Sequence, residues 1–229
     1  FYLMWANHDA VALWDKRNSN DLSTVVWDGG VAMDEFRRAM RRVIEKYFHQ
    51  PNYYTIDGKP VFMIYDVPKL VSGLGGIDAA REAIAWFREK CVRSGLPGLH
   101  LQFTMWNEKC TNLSGVDGVK TVSAKEFGNL GFDSCSHYQF VHFLNIDRSY
   151  EELLPEVEAE WKRLESEFDF PYFPHVSVGW DNNPRFNDFR PGVMKNCTPE
   201  NIERALRMAR DYADRHPEQP PLITVNSWN

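Results

Sequence analysis

Six short stretches of the sequence place an aromatic side chain next to polar or charged ones. They are Trp5-Ala6-Asn7-His8-Asp9, Tyr65-Asp66, Trp106-Asn107-Glu108, Ser136-His137-Tyr138, Trp180-Asp181-Asn182 and Trp228-Asn229. Indole and phenol rings offer a flat apolar face with a polar edge, and carboxylate, amide and imidazole groups exchange hydrogen bonds with hydroxyl groups. Sugars need both kinds of contact. If the fold brings these stretches together, they predict a carbohydrate-binding surface.

The stretch HVSVGWDNNPR is the most informative of the six. Asp181 follows Trp180 directly, and Arg185 is close enough along the chain to reach either Asp181 or a ligand oxygen. One interpretation is that this stretch binds sugar hydroxyls. Asp181 then ranks first among the carboxylates expected to contact substrate, followed by Glu108 and Asp9. The other interpretation is a salt bridge between Asp181 and Arg185 that holds a loop. The sequence leaves both open.

The histidines and cysteines do not follow the spacing of metal ligands. His8, His137, His142 and His175 include no i, i+4 pair, and the four cysteines include no C-x-x-C pair. The glycine-rich stretch SGLGG matches neither a phosphate-binding loop nor a dinucleotide fingerprint that directly follows a strand. The sequence therefore predicts no metal site and no cofactor.

The aromatic stretches coincide with the ends of short apolar runs, most of which are separated by helical patterns. The runs are Phe1–Trp5, Val61–Tyr65, Leu99–Trp106, Phe132–Tyr138, Tyr172–Trp180 and Leu222–Trp228. Strands alternating with helices indicate parallel β/α units, which fit either a doubly wound sheet or a (β/α)8 barrel. A doubly wound sheet concentrates its ligand at one switch point, whereas a barrel collects all strand tips around one mouth. Polar and aromatic residues at every tip favour the barrel.

The composition is that of a globular chain, with 43% hydrophobic and 25% charged residues among 229. We expect one domain over residues 1–229, an α/β TIM-type barrel segment with about six of eight β/α units, truncated at both ends. A net charge of −6 argues against nucleic acid as a partner. No apolar run approaches the roughly 20 residues of a membrane span. The compartment is not predicted, except that a bacterial polysaccharide-degrading enzyme would be periplasmic or extracellular.

Four stretches in the same order also resemble a known family. FYLMWANHD, DGKPVFMIY, VSVGWDNNPR and ITVNSWN are similar to the WbsX-type proteins, also called glycoside hydrolase family 99-like. The first motif of that family usually reads Trp-Ala-Asn-Glu, and His8 stands here in place of the glutamate. The last motif continues as Trp-Asn-Glu-Trp-x-Glu and holds the two catalytic glutamates of true family 99 enzymes. The resemblance therefore implies a catalytic pair after Asn229.

The function expected first is a glycoside hydrolase that acts on a polysaccharide or oligosaccharide by carboxylate acid/base chemistry. The alternatives are a WbsX-type glycosyltransferase in polysaccharide synthesis, which would need a pocket for a nucleotide diphosphate, and a barrel that binds carbohydrate without cleaving it. No catalytic residue is assigned within the segment, although Asp181, Glu108 and Asp9 are fallback candidates. The expected binding wall consists of Trp5, Asn7, His8, Tyr65, Trp106, His137, Tyr138, Trp180, Asp181, Arg185, Trp228 and Asn229.

Overall fold

The computed structural model describes residues 1–12, 17, 21, 23–106 and 128–226. The strands are β1 Leu3–Trp5, β2 Ala10–Val11, β3 Val25–Trp27, β4 Thr55–Ile56, β5 Lys59–Ile64, β6 His100–Met105, β7 Ser134–His137, β8 Tyr172–Phe173, β9 His175–Ser177 and β10 Thr224–Asn226. The α-helices are α1 Met33–Val43, α2 Val67–Leu74, α3 Ile77–Arg93, α4 Tyr150–Glu167 and α5 Pro199–Arg215. Each of the six predicted apolar runs overlaps at least one of these strands.

The main strands are all parallel and follow one another in chain order. β1, β5, β6, β7 and β8 are hydrogen-bonded neighbours in that order, and β9, which follows β8 after Pro174, pairs in parallel with β10. A doubly wound sheet reverses its strand order near the middle, and the described strands show no such reversal. The protein therefore has an α/β fold built on a parallel sheet.

The first and the last of the described parallel strands line one space. A cavity of about 460 Å³ is bounded by Tyr2 and Met4 at β1 and by Thr224 and Asn226 of β10. Near one end of it, Tyr2 and Leu222 pack against a shared small cluster of buried apolar residues. The two outermost parallel strands thus lie on either side of the same interior.

Two short antiparallel pairs extend the parallel strands. β4 and β5 form a hairpin whose turn, Asp57-Gly58, has left-handed φ angles of 52° and 74°, as expected for the turn sequence DGK. β2 pairs with β3 in a hairpin-like pair that follows β1, and the sequence analysis did not predict it. This second pair begins two residues after His8, at one end of the parallel sheet.

The helices cover one face of the sheet and form the apolar core with it. On that face Phe62 of β5 contacts Phe87 of α3 at a ring-centroid distance of 5.6 Å, and Trp161 of α4 contacts Tyr212 of α5 at 5.7 Å. The α5 helix begins as predicted, because the Thr198 hydroxyl accepts a hydrogen bond from a backbone amide of the first turn and proline is the first helical residue. The described helices include none with the length and apolar character needed to cross a bilayer.

The opposite face of the sheet is polar although it is buried. His100 lies 2.7 Å from the hydroxyl of Ser134, and the Gln102 side-chain amide donates to the same hydroxyl at 3.2 Å. On the neighbouring strands, Ser136 lies 2.8 Å from the Thr224 hydroxyl, which in turn lies 2.9 Å from His175. Because side chains alternate between the faces of a strand, every second residue of β6, β7 and β9 points into this hydrogen-bonded interior.

Candidate functional site

A cavity of about 350 Å³ opens where the parallel strands end. Its described lining residues follow the carboxyl ends of β1, β5, β6, β7 and β9, apart from Met4 within β1. They are Met4, Ala6, His8, Tyr65, Asp66, Trp106, Tyr138, His142, Trp180 and Arg185. Parallel strands in one sheet point their carboxyl ends the same way, so residues far apart in the sequence meet at this edge. Of the predicted wall, the structure brings together His8, Tyr65, Trp106, Tyr138, Trp180 and Arg185.

Tyr65 lies at the centre of an aromatic cluster in this cavity. Its ring is nearly parallel to that of Trp106, with an interplanar angle of 8° and a centroid distance of 6.5 Å. It meets Tyr138 edge-on at 5.4 Å and His8 at 5.3 Å. Burial raises the pKa of Tyr65 well above its ordinary value of 10, so its phenol is neutral at physiological pH. The cluster provides flat apolar faces with polar edges.

His142 completes the wall from the short 3₁₀ turn Phe140–His142. Its ring stacks on Tyr138 at 5.8 Å and meets Trp180 at 6.4 Å. Burial lowers the pKa of His142 to about 4, with a smaller contribution from His137 in the same direction. The imidazole is therefore neutral at pH 7 and able both to donate and to accept a hydrogen bond. From the sequence, His142 is weighed only as a metal ligand and is not among the residues expected in the wall.

Two nitrogen atoms in this wall are buried and have no hydrogen-bond partner among the residues that the structure describes. They are the indole Nε1 of Trp106 and the Nδ1 of His142. A buried polar group that lacks a partner costs about 1–3 kcal/mol of stability. A ligand hydroxyl that reaches these atoms would recover that free energy on binding. Their position on a shared cavity indicates a ligand that is rich in hydroxyl groups.

Asp66 is the carboxylate among the described lining residues. It is the N-cap of α2, where one carboxylate oxygen accepts a hydrogen bond from the backbone amide of Lys69 at 2.8 Å. Burial raises the pKa of Asp66, against the lowering effect of that hydrogen bond. From the sequence, Asp66 is recognised at a strand tip but is not among the expected site residues. The sequence offers part of the signal, because Asp66 directly follows a strand and aspartate is a favoured N-cap. Only the placement of β5 and α2 shows that it lines the cavity.

Asn7 and Asp9 belong to the frame of the cavity and are absent from its lining. The Asn7 side chain donates to the backbone oxygen of Asp66 at 2.7 Å and accepts from its backbone amide at 2.9 Å, which ties the tips of β1 and β5 together. The Asp9 carboxylate pairs with the Lys69 ammonium at 2.7 Å and accepts from the Gly29 amide at 2.8 Å. Both side chains are thus engaged within the protein.

Trp5 and His137 point away from this cavity, toward the helices. Trp5 contacts Phe36 of α1 at 6.0 Å. The buried His137 ring has Nδ1 2.7 Å from the Tyr172 hydroxyl and Nε2 3.4 Å from a carboxylate oxygen of Glu160 on α4. The alternation of side chains along strands explains the difference, because Tyr138 faces the cavity and its neighbour therefore faces the opposite side.

Asp181 is exposed, and its carboxylate organises the loop that follows β9. One carboxylate oxygen accepts from both the backbone amide and the side-chain amide of Asn183, each at 2.8 Å. Arg185 lies on the cavity. Direct contact of Asp181 with substrate stays a prediction. Glu108, Trp228 and Asn229, the other site residues expected from the sequence, lie outside the described residues.

Comparison with known proteins connects this site to a family. Residues 1–229 match the family described as Glycosyltransferase WbsX. A curated relative, "Uncharacterized protein WxcX" of Xanthomonas campestris pv. campestris strain ATCC 33913, is 22% identical over 247 residues, which cover 100% of this chain and 31% of the relative. The same-named protein of strain B100 is 21% identical with the same coverage. The chain thus spans about a third of the length of these relatives.

A solved structure shares the fold. The GH99 endo-alpha-mannosidase from Bacteroides thetaiotaomicron superposes with a TM-score of 0.54 at 14% identity, over 87% of this chain and 50% of that one. At this identity the likeness concerns the fold. It agrees with the resemblance to family 99-like proteins that the sequence motifs indicated. The match over the whole chain establishes that this chain belongs to the WbsX glycosyltransferase family.

Proposed function

We propose that residues 1–229 form one domain, a segment of a (β/α)8 barrel, whose mouth binds a sugar unit of an oligosaccharide or polysaccharide. We further propose that the complete protein hydrolyses a glycosidic bond of that ligand. The chain-ordered parallel strands and the interior shared by β1 and β10 support the barrel. In a barrel, the strand carboxyl ends surround the active site. The cavity described above occupies that position.

The observation that carries the proposal is the composition of the cavity wall. Tyr65, Trp106, Tyr138 and Trp180 give it aromatic faces. The buried nitrogens of Trp106 and His142, which have no partner among the described residues, give it polar edges. Sugar rings stack on such faces through their C–H groups and satisfy such edges with their hydroxyls. A neutral, hydroxyl-rich ring therefore complements this wall.

Hydrolysis requires carboxyl groups on both sides of the glycosidic bond, about 5–5.5 Å apart when configuration is retained and about 6.5–9.5 Å apart when it is inverted. The resemblance to family 99 implies that this pair follows Asn229. We assign Asp66 to substrate contact, where its carboxyl group accepts a hydrogen bond from a sugar hydroxyl. Its raised pKa also means that it carries a proton at a higher pH than an ordinary aspartate.

A glycosyltransferase is the second candidate, and two observations favour it. The family is described as a glycosyltransferase, and Arg185 brings a guanidinium group to the cavity. Guanidinium groups bind phosphate oxygens in a bidentate manner, so Arg185 could hold the diphosphate of an activated sugar. Hydrolysis and transfer differ in their co-substrate, which makes them separable by experiment.

The experiment incubates the full-length protein with a panel of bacterial and plant polysaccharides in water enriched in ¹⁸O, with and without nucleotide sugars. A hydrolase incorporates ¹⁸O into new reducing ends without a nucleotide sugar, and Tyr65→Ala should abolish the reaction. Turnover that requires a nucleotide sugar would favour transfer. Binding of a polysaccharide without either reaction would leave only the carbohydrate-binding part of the proposal.

A further inference from the structure

Two segments at the mouth end of the sheet, strand β3 and a loop after β9, carry exposed aromatic side chains. Trp27 is 74% exposed and Phe189 is 79% exposed. A single exposed apolar residue is ordinary on a protein surface. These two, however, lie in segments that follow strands β1 and β9, whose ends wall the cavity. Their location raises the question of what they contact.

Trp27 is connected to the cavity-wall residue His8 in two ways, through its strand partner and through the residues that follow it. It pairs with Ala10, which follows His8 by two residues. Behind it, the chain at Gly29 packs directly on the His8 backbone, because a Cβ atom at Gly29 would lie 2.5 Å from the His8 carbonyl carbon. Consecutive Cα atoms are about 3.8 Å apart, so Trp27 lies within about one or two sugar-ring lengths of His8.

Phe189 belongs to a loop that begins and ends at Trp180, in the part of the wall that follows β9. The loop closes where the Met194 amide donates to the Trp180 carbonyl oxygen at 3.0 Å. Inside it, the Asn183 side chain accepts from the Arg190 amide at 2.7 Å and donates to the Arg190 carbonyl oxygen at 3.1 Å. Phe189 therefore directly precedes a residue that is fixed to the base of the loop.

The Trp27 hairpin is tied to the frame of the cavity in a comparable way. The Lys69 ammonium on α2 pairs with Asp9 at 2.7 Å and with Asp28, the residue after Trp27, at 3.0 Å. A segment whose backbone is already fixed loses less conformational entropy when a ligand binds than a mobile loop does. Both exposed rings therefore have the support expected of preformed binding surfaces.

We propose that Trp27 and Phe189 bind sugar units of a glycan chain that extends from the cavity, one on each side of it. This inference rests on the proposed function and adds that the ligand is a polymer. The exposed strand β3 does not form a broad apolar patch, because Val26 alternates to the face opposite Val25 and Trp27. Separate aromatic side chains on either side of the cavity fit the successive sugar rings of a glycan better than they fit a protein interface.

The test uses the full-length protein and gel retardation in yeast mannan, dextran and rhamnogalacturonan I. The polymer that retards the protein is then compared with its own disaccharide by titration. Trp27→Ala and Phe189→Ala should each raise the Kd for the polymer by about five- to tenfold and leave the Kd for the disaccharide unchanged. Trp180→Ala should weaken binding of both ligands. Val92→Ala, which alters a 57% exposed apolar residue on α3, serves as the matched control and should change neither.

The outcomes separate this inference from the proposed function. Normal polymer binding by both rim variants, with binding lost in Trp180→Ala, would overturn the inference and leave the function intact. No retardation of the wild-type protein by any polymer would contradict both. Loss of self-association in the rim variants, measured by sedimentation with polymer affinity unchanged, would assign the rings to contact with a second copy and overturn the inference.

Discussion

At the scale of single residues, the cavity combines stacking aromatic rings with buried nitrogen atoms that have no hydrogen-bond partner in the described part of the chain. Tyr65, Trp106, Tyr138 and Trp180 could be selected from the sequence, because each follows an apolar run and has a polar neighbour. His142 and Asp66 could not be ranked in the same way. The first lies in a turn that no pattern predicts, and the second is recognised as a lining residue only once β5 and α2 are placed.

Asp66→Asn tests the assigned substrate contact. Asparagine preserves the size of the side chain and is an equally good N-cap for α2, so the stability of the fold should change by less than about 1 kcal/mol. Loss of a charge-assisted hydrogen bond should weaken sugar binding by about ten- to a hundredfold in a calorimetric titration. Asp78→Asn, in the first turn of α3, is the matched control and should bind as the wild-type protein does. Equal affinity in both variants would remove Asp66 from the site.

Trp106→Phe tests whether the unpartnered indole nitrogen serves the ligand. Removing the unsatisfied nitrogen should raise the stability of the fold, and the space left by the smaller ring should lower it. These effects oppose each other, so the free energy of unfolding should change by no more than about 1 kcal/mol. Sugar affinity should fall by about tenfold. Trp161 also has a buried Nε1 with no hydrogen-bond partner in the described ranges, but it lies between helices α4 and α5. Trp161→Phe is therefore the control, and a similar loss of affinity in both variants would contradict the assignment.

At the scale of secondary-structure elements, the cavity depends on connections between strand ends. Lys69 on α2 joins the end of β1 to the β2–β3 hairpin through Asp9 and Asp28, and Asn7 joins β1 to β5. The sequence predicted the six parallel strands from apolar runs, but it could not predict these connections. A residue at a strand tip is equally suited to face a ligand or a neighbouring loop, and Asn7 and Asp9 do the latter.

Lys69→Met tests the connection between the hairpin and the cavity. The substitution keeps the aliphatic stem but leaves the partly buried Asp9 carboxylate without its cation, which should cost about 1–3 kcal/mol of stability. Amide hydrogen exchange should accelerate in residues 25–30. Lys162→Met removes an exposed i, i+4 pair with Glu158 and should cost less than about 0.5 kcal/mol. Equal effects of the two substitutions would show that the Lys69 network does not fix the hairpin.

At the scale of the whole molecule, the strand order was predictable and the facing of individual side chains was not. Trp5 and His137 were expected at the mouth, yet both point toward the helices. Neighbouring side chains of a strand face opposite sides, so a shift of one residue exchanges the residues that face the mouth with those that face the helices. At the end of β7 the sequence offers both His137 and Tyr138 for the mouth. The polar interior face was also not foreseen, because its serine and histidine residues resemble exposed positions when only the sequence is known.

The buried interior histidines should make the whole fold sensitive to acid. Burial lowers the pKa of His175 from its ordinary value of 6.5 to about 3, and His137 and His142 act in the same direction. Below pH 6.5 the unfolded chain binds a proton at this position, whereas the folded chain does not until about pH 3. Stability should therefore be fully present above pH 6.5 and decline as the pH falls from there toward 3, by about 2 kcal/mol at pH 5 from His175 alone.

Urea unfolding at pH 7.5 and pH 5.0 measures this loss. His175→Gln should reduce the difference between the two pH values by about 2 kcal/mol, whatever its effect on stability at pH 7.5. His49→Gln, which alters an exposed histidine, should leave the difference unchanged. A wild-type protein that is as stable at pH 5.0 as at pH 7.5 would contradict the buried, neutral state of the interior histidines.

The central claim is that the cavity at the strand ends holds a sugar ring. A crystal structure of the full-length protein with a bound oligosaccharide tests it most directly. We predict a sugar ring stacked on the Tyr65, Trp106 and Trp180 faces, with hydroxyls within hydrogen-bond distance of Trp106 Nε1 and the Asp66 carboxylate. An oligosaccharide bound elsewhere, with this cavity filled only by water, would contradict the claim.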